Sequence, residues 1–149
     1  MGLQPAWNMN ESGDRYRVPR RTVLLVEDEP FVREATLSIL ESAGYQVIPA
    51  GDAVAAIRAY EEAQWAIDLL MTDMVLPGRT GEQLGEEIRQ RSPDVKVLVT
   101  SGYCDAASAT EQPQSQTYFL AKPYTRRGLV EKIEKIFEVP LRRAAGQAG

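Results

Sequence analysis

Five short apolar runs alternate with stretches of helical spacing, and this alternation limits the folds open to the chain more than any other feature. The runs cover residues 23–26, 45–48, 69–71, 95–99 and 118–120. Each is short and mostly apolar, and the first is rich in β-branched residues, the pattern of a buried strand. After the first run, Pro30 suits the opening turn of a helix. Val32, Ala35, Ile39 and Ala43 then recur at helical spacing, and Gly44 is a natural stop. Asp52 can cap a helix bearing Val54, Ile57 and Tyr60. Pro77-Gly78 turns the chain, and Thr80 with Gln83 makes a capping box for a helix bearing Leu84 and Ile88. Leu129, Ile133, Ile136 and Phe137 stripe a final helix that ends before Pro140. Residues 104–116 are small, polar and interrupted by Pro113, which predicts a short or mobile helix.

Strands that alternate with helices form a parallel sheet covered by helices on both faces. The expected fold is α/β, a doubly wound, flavodoxin-like sheet of five strands in the order 2-1-3-4-5. Residues 1–20 and 140–149 lack periodicity and read as flexible tails around one domain spanning 21–139.

Several classes of function are excluded or disfavoured. The chain has no histidine, so it offers no His-based zinc site, no Ser-His-Asp triad and no phosphohistidine of its own. Its single cysteine, Cys104, allows no internal disulfide and reads as a bystander thiol. A net charge of −4 with scattered cations argues against direct binding of nucleic acid. No apolar run is long enough to cross a membrane, and the N-terminus lacks a signal core. The expected location is the cytoplasm.

The residues that end the runs carry the chemistry. The first run ends in Glu27 and Asp28, the third in Asp73, the fourth in Thr100-Ser101 and the fifth in Lys122. In a doubly wound sheet ligands bind beyond the carboxyl ends of the strands, where the strand order reverses. In the order 2-1-3-4-5 that point lies between strands one and three, so three carboxylates meet there. Two unit charges about 4 Å apart cost roughly 4 kcal/mol at an effective dielectric of about 20, and a divalent cation relieves this. An all-oxygen donor set favours Mg²⁺, Mn²⁺ or Ca²⁺. Mg²⁺ typically takes one or two carboxylates and keeps sites for phosphate oxygens. A remaining carboxylate can then act as the nucleophile that forms an aspartyl phosphate. Lys122 and the Ser101 hydroxyl suit the charge spread over a transferring phosphoryl group. Taken singly, each residue has an ordinary alternative: Glu27 and Asp28 as helix caps, Asp73 as a turn residue, Ser101 and Lys122 as loop residues.

Four motifs, VLLVEDEP at 23–30, LLMTDMVLPGRTG at 69–81, VLVTSGY at 97–103 and YFLAKPY at 118–124, resemble those of response regulator receiver domains of two-component signalling. The resemblance covers about residues 21–138 and implies a role for each matching position. Asp73 is the phosphoacceptor. Asp28 is a direct metal ligand, Glu27 its water-mediated companion, and the backbone carbonyl of Val75 a third ligand for Mg²⁺, with Mn²⁺ as a substitute. Ser101 and Lys122 contact the phosphoryl group, Ser101 and Phe119 form the switch pair, and the Lys122–Pro123 peptide is cis. The implied partners are a sensor histidine kinase or a histidine phosphotransfer protein as donor, and a downstream protein. The implied chemistry is self-phosphorylation from the donor with slow autodephosphorylation, and no other enzymatic activity. Slow loss is expected because Val75 and Tyr103 sit two residues beyond Asp73 and Ser101, where they obstruct an attacking water.

Three departures stand out. Glu27 replaces the commoner Asp, Phe119 replaces a frequent Tyr, and 104–116 lacks the apolar residues of the family's fourth helix. The TSGY and KPY wording is similar to receivers attached to, or paired with, hybrid histidine kinases. About ten residues follow the last helix, so no output domain is expected. Three other readings compete. A flavin-binding flavodoxin-like protein would want a Ser/Thr-rich phosphate loop after the first strand, where this chain has Glu27-Asp28-Glu29. A Mg²⁺-dependent phosphatase with an Asp nucleophile usually carries a second acid two residues on, where this chain has Val75. A binding module that is never phosphorylated would not need the full residue set.

Overall fold

A computed structural model of the chain describes residues 7–9, 11–13, 15–17, 20–102 and 116–138. The expected tails at 1–6 and 140–149, the expected short helix at 104–116 save Gln116, and both Tyr103 and Cys104 lie outside these residues. Before residue 20 two short strands, β1 (Trp7–Met9) and β2 (Arg15–Arg17), pair antiparallel. Strands of three residues are too short to display a two-residue period, and the sequence reading therefore found no pattern there.

The main sheet contains β3 (Thr22–Val26), β4 (Gln46–Ala50), β5 (Leu69–Asp73), β8 (Lys96–Ser101) and β9 (Thr117–Ala121). All pairings are parallel, in the order β4-β3-β5-β8-β9. Numbered among themselves, these strands run 2-1-3-4-5, as the alternation requires. The helices are α1 (Pro30–Ser42), α2 (Ala53–Glu62), α3 (Gly81–Arg91) and α4 (Arg126–Glu138).

Side chains on β3 alternate between two cores, which is why the run is apolar throughout. Leu24 and Val26 join Leu70, Val97 and Val99 against Ala56, Tyr60, Leu84 and Ile88 of α2 and α3. Val23 and Leu25 join Leu69, Met71 and Leu98 against Leu40, Leu129, Ile133 and Ile136 of α1 and α4.

Local chemistry sets the helix starts. Asp52 accepts from the Ala55 N–H at 2.7 Å, and Thr80 and Gln83 form a complete capping box. The second strand runs past the expected end at Ile48, through Pro49 to Ala50. Proline is tolerated because β4 is an edge strand.

Between β5 and α3 the chain makes a small ribbon of β6 (Val75–Leu76) and β7 (Arg79–Thr80). Pro77 fixes one φ of its turn, and Gly78 supplies φ +84°. The ribbon closes where the Gly81 N–H donates to Met74 O at 2.8 Å, which brings the start of α3 against the end of β5.

Candidate functional site

Glu27 and Asp28 leave β3, Asp73 ends the adjacent β5, Ser101 ends β8 and Lys122 follows β9. Parallel strands place all these ends at one pole of the sheet. One carboxylate oxygen from each of Glu27, Asp28 and Asp73 lies within 4.8 Å of the others. Glu27 and Asp73 are buried, whereas Asp28 is exposed at the mouth.

A single ammonium sits among these acids. Lys122 Nζ donates to Asp73 Oδ1 at 2.6 Å and to Glu27 Oε1 at 2.9 Å. It reaches across β8 because the Lys122 N–H is tied to Ser101 O at 2.7 Å. The Lys122–Pro123 peptide is cis. Burial raises the pKa of Asp73; Lys122 opposes this, and the neighbouring Glu27 adds to it. Burial works against the charge of Lys122, but the two carboxylates outweigh it and its pKa is raised.

Glu27 is held at several points. Its Oε2 accepts from the Glu29 N–H at 3.1 Å, its N–H donates to Ala50 O at 3.1 Å, and its carbonyl accepts from Arg33 Nη1 at 2.7 Å. It does not cap α1: the residue in the cap position is Glu29, with no side-chain cap bond.

The other residues singled out in the sequence lie around this centre. The Ser101 hydroxyl oxygen is buried and makes no hydrogen bond. Val75 opens β6 immediately beyond the acceptor strand with its side chain exposed. Phe119 is half-buried against the α2–α3 core.

Sequence reading missed two contributors. Thr100 is paired in register with Asp73, and its hydroxyl donates to Asp73 Oδ1 at 3.2 Å. Strand register would have revealed it, because a strand neighbour of the acid is its nearest possible donor. The other is Arg33, whose contact with a carbonyl six residues earlier leaves no mark in residue spacing.

The donor set fits a hard divalent cation. It offers three carboxylates and no nitrogen or sulfur ligand, with one ammonium to offset them. The buried, unpartnered Ser101 hydroxyl is a further polar group that an oxyanion would satisfy. Among the described residues no helix is long and apolar enough to cross a membrane.

A family model described as "Response regulator receiver domain" matches residues 23–134. The sensor kinase CckA of Brucella abortus is 36% identical over 118 residues, which cover 78% of this chain but 12% of that protein. The response regulator receiver protein CpdR of the same organism is 30% identical over 117 residues, covering 78% of this chain and 96% of that protein. A crystal structure of a response regulator receiver domain protein from Clostridium thermocellum superposes with a TM-score of 0.71 at 25% identity. That likeness covers 79% of this chain and 94% of the other.

Proposed function

The chain belongs to the response regulator receiver family, and on that premise we propose that it accepts a phosphoryl group on Asp73 with the help of a divalent cation, Mg²⁺ or Mn²⁺. The observation that carries this reading is the meeting of Glu27, Asp28 and Asp73 around the ammonium of Lys122. An oxygen of Asp73 forms the new P–O bond as the P–N bond of a donor phosphohistidine breaks, and the imidazole keeps the electron pair. Lys122 then pairs with a phosphoryl oxygen, and the Ser101 hydroxyl, without a partner before transfer, donates to another. Glu27, Asp28, Asp73 and the Val75 carbonyl are the groups that would hold the cation. When bound, it offsets the charge that builds on the transferring group.

The donor is a histidine kinase or a histidine phosphotransfer protein, a reading supported by relatives named as a sensor kinase and as a receiver protein. Phe31, Val54 and Val75 are exposed apolar residues on the segments that leave three adjacent strands, so they rim the acid site. Apolar groups around a polar centre suit a protein partner that delivers a phosphohistidine. Phosphorylation draws Ser101 toward the site and Phe119 inward, which changes the surface offered to a downstream protein; the domain then acts as a cytoplasmic signalling element.

The test is incubation of the chain with acetyl phosphate and Mg²⁺, followed by mass spectrometry. The expected result is a gain of one phosphate that is absent in Asp73→Ala and abolished by a chelator. No gain with wild type, or an equal gain in Asp73→Ala, overturns the reading. Repeated turnover of a phosphomonoester would favour an Asp-nucleophile phosphatase instead.

A further inference from the structure

We propose that Arg33 is a positioning residue for the acid site: its guanidinium, seated in a slot left open by Gly51, fixes the backbone of Glu27 and so aims the glutamate carboxylate at the divalent cation. The inference rests on the reading of the site given above and deepens it.

The need arises from the length of Glu27. A glutamate has one more rotatable bond than an aspartate, so ordering its side chain costs more conformational entropy. A carboxylate on a loose stem is a weak ligand, because binding must supply that ordering. Here the backbone that carries this side chain is anchored on both sides. Arg33 Nη1 donates to Glu27 O at 2.7 Å, the shortest of the contacts that hold this residue. The Glu27 N–H is tied to Ala50 O, and the Glu29 N–H holds Oε2. The remaining contact, from Lys122 to Oε1, competes with a cation for the carboxylate, whereas the contact from Arg33 does not.

The slot is built from both sides. Arg33 lies in the first turn of α1, where its N–H donates to Glu29 O at 2.9 Å, and its side chain turns back to a carbonyl six residues earlier. Across the slot, a Cβ on Gly51 would stand 3.2 Å from Arg33 Nη1 and 3.8 Å from Cζ. Any larger side chain at 51 therefore crowds the guanidinium. The residue after strand two, which has no reactive group of its own, acquires a purpose as the floor of this slot.

Positioning and simple charge predict opposite signs. A guanidinium hydrogen-bonded to the backbone of one acid of the site repels a divalent cation bound there, so if charge were its only effect its removal would tighten binding. If it aims Glu27, its removal weakens binding, and losing a residue that orients a metal ligand typically costs about 10- to 100-fold in metal affinity.

The test measures Mg²⁺ affinity by calorimetry on the full chain for wild type, Arg33→Met, Arg33→Lys and Gly51→Val. Arg33→Met is expected to weaken Mg²⁺ binding about tenfold. Gly51→Val, which crowds the guanidinium from the other side, should weaken it similarly, and Arg33→Lys should retain part of the affinity. The Mg²⁺ concentration for half-maximal phosphorylation by acetyl phosphate should rise by the same factor, with a smaller loss in maximal rate. Unchanged or tighter binding in Arg33→Met overturns the proposal. A second arm needs no metal: in chelator, hydrogen exchange of the Glu29 amide should speed up in Arg33→Met, and unchanged exchange also overturns it. Wild type that binds no Mg²⁺ would defeat the functional reading, while the Glu29 amide would still decide the role of Arg33.

Discussion

Gly81→Ala places one methyl group where the backbone of the phosphoacceptor already stands. The added Cβ would lie 2.1 Å from Asp73 O, 2.8 Å from Thr72 Cγ2 and 3.1 Å from the Asp73 carbonyl carbon. Relief requires a shift of about 1 Å, and the obstacle on one side is backbone, which cannot rotate away. Moving Gly81 instead stretches its 2.8 Å bond to Met74 O, worth about 1 kcal/mol. Overpacking costs about 1–3 kcal/mol, and the upper part of that range applies where backbone must yield. Alanine returns less than about 1 kcal/mol of helix propensity. The expected net loss is about 2–3 kcal/mol, or roughly 10 °C in melting temperature for a domain of this size.

The control is Gly44→Ala. Gly44 has φ +101° with nothing within 4 Å of an added Cβ, so it carries a backbone cost of about 1–2 kcal/mol at the opposite pole of the sheet. Urea unfolding would give both losses, and mass spectrometry with acetyl phosphate would give the phosphorylation rate of the folded fraction. Gly81→Ala should slow phosphorylation by displacing Asp73, and Gly44→Ala should not. A Gly81→Ala protein as stable and as fast as wild type would refute the reasoning, and so would equal slowing in the control.

Other outcomes follow from the same geometry. Burial raises the pKa of Asp73, so in the metal-free protein its stabilising contribution is present below the unfolded value of 3.8 and lost as pH rises through the folded value. Asp73→Asn should therefore melt higher than wild type at pH 7 in chelator, and calorimetry should show the gain shrink as pH falls through the folded value of Asp73, with no further change below 3.8. Lys122→Met removes the cation that competes for Glu27 and Asp73; calorimetry should show tighter Mg²⁺ binding while the acetyl phosphate reaction slows about 100-fold or more. Gln64 closes α2 at φ +56°, with its N–H donating to Glu61 O and the Trp65 N–H to Tyr60 O, so Gln64→Gly should raise stability by about 0.5–1 kcal/mol in urea unfolding. Val75→Asn replaces an exposed apolar side chain beside the acceptor with one that can hold water, and loss of phosphate followed by mass spectrometry should quicken.

The sheet was legible because its central strands are buried on both faces and because α2 and α3 carry their own caps. Asp52, Thr80 and Gln83 announce helix starts through local bonds, and no distant contact is needed to place them. The meeting of Glu27, Asp28 and Asp73 was legible for a topological reason: parallel strands share one carboxyl pole. What escaped depends on register and on side-chain direction. The bond from Thr100 to Asp73 exists because those two residues face each other across β5 and β8, and a slip of one residue would remove it. Lys122 was expected to meet a phosphoryl group, but that it bridges two acids follows from where β9 ends relative to β8. The β1–β2 pair escaped because its strands are too short for any pattern to repeat.

Pro49 has a further consequence at the rim of the sheet. The Gln46 N–H bonds to Arg21 O and Ala50 O accepts from Glu27, so the even-numbered residues of β4 turn toward β3. Val47 and Pro49 thus turn outward, and only Val47 presents an amide hydrogen there. A foreign chain that tried to lengthen the sheet along this border would find one of its two amide donors missing. The imino acid that this edge tolerates also blunts it against pairing with a second copy at high concentration.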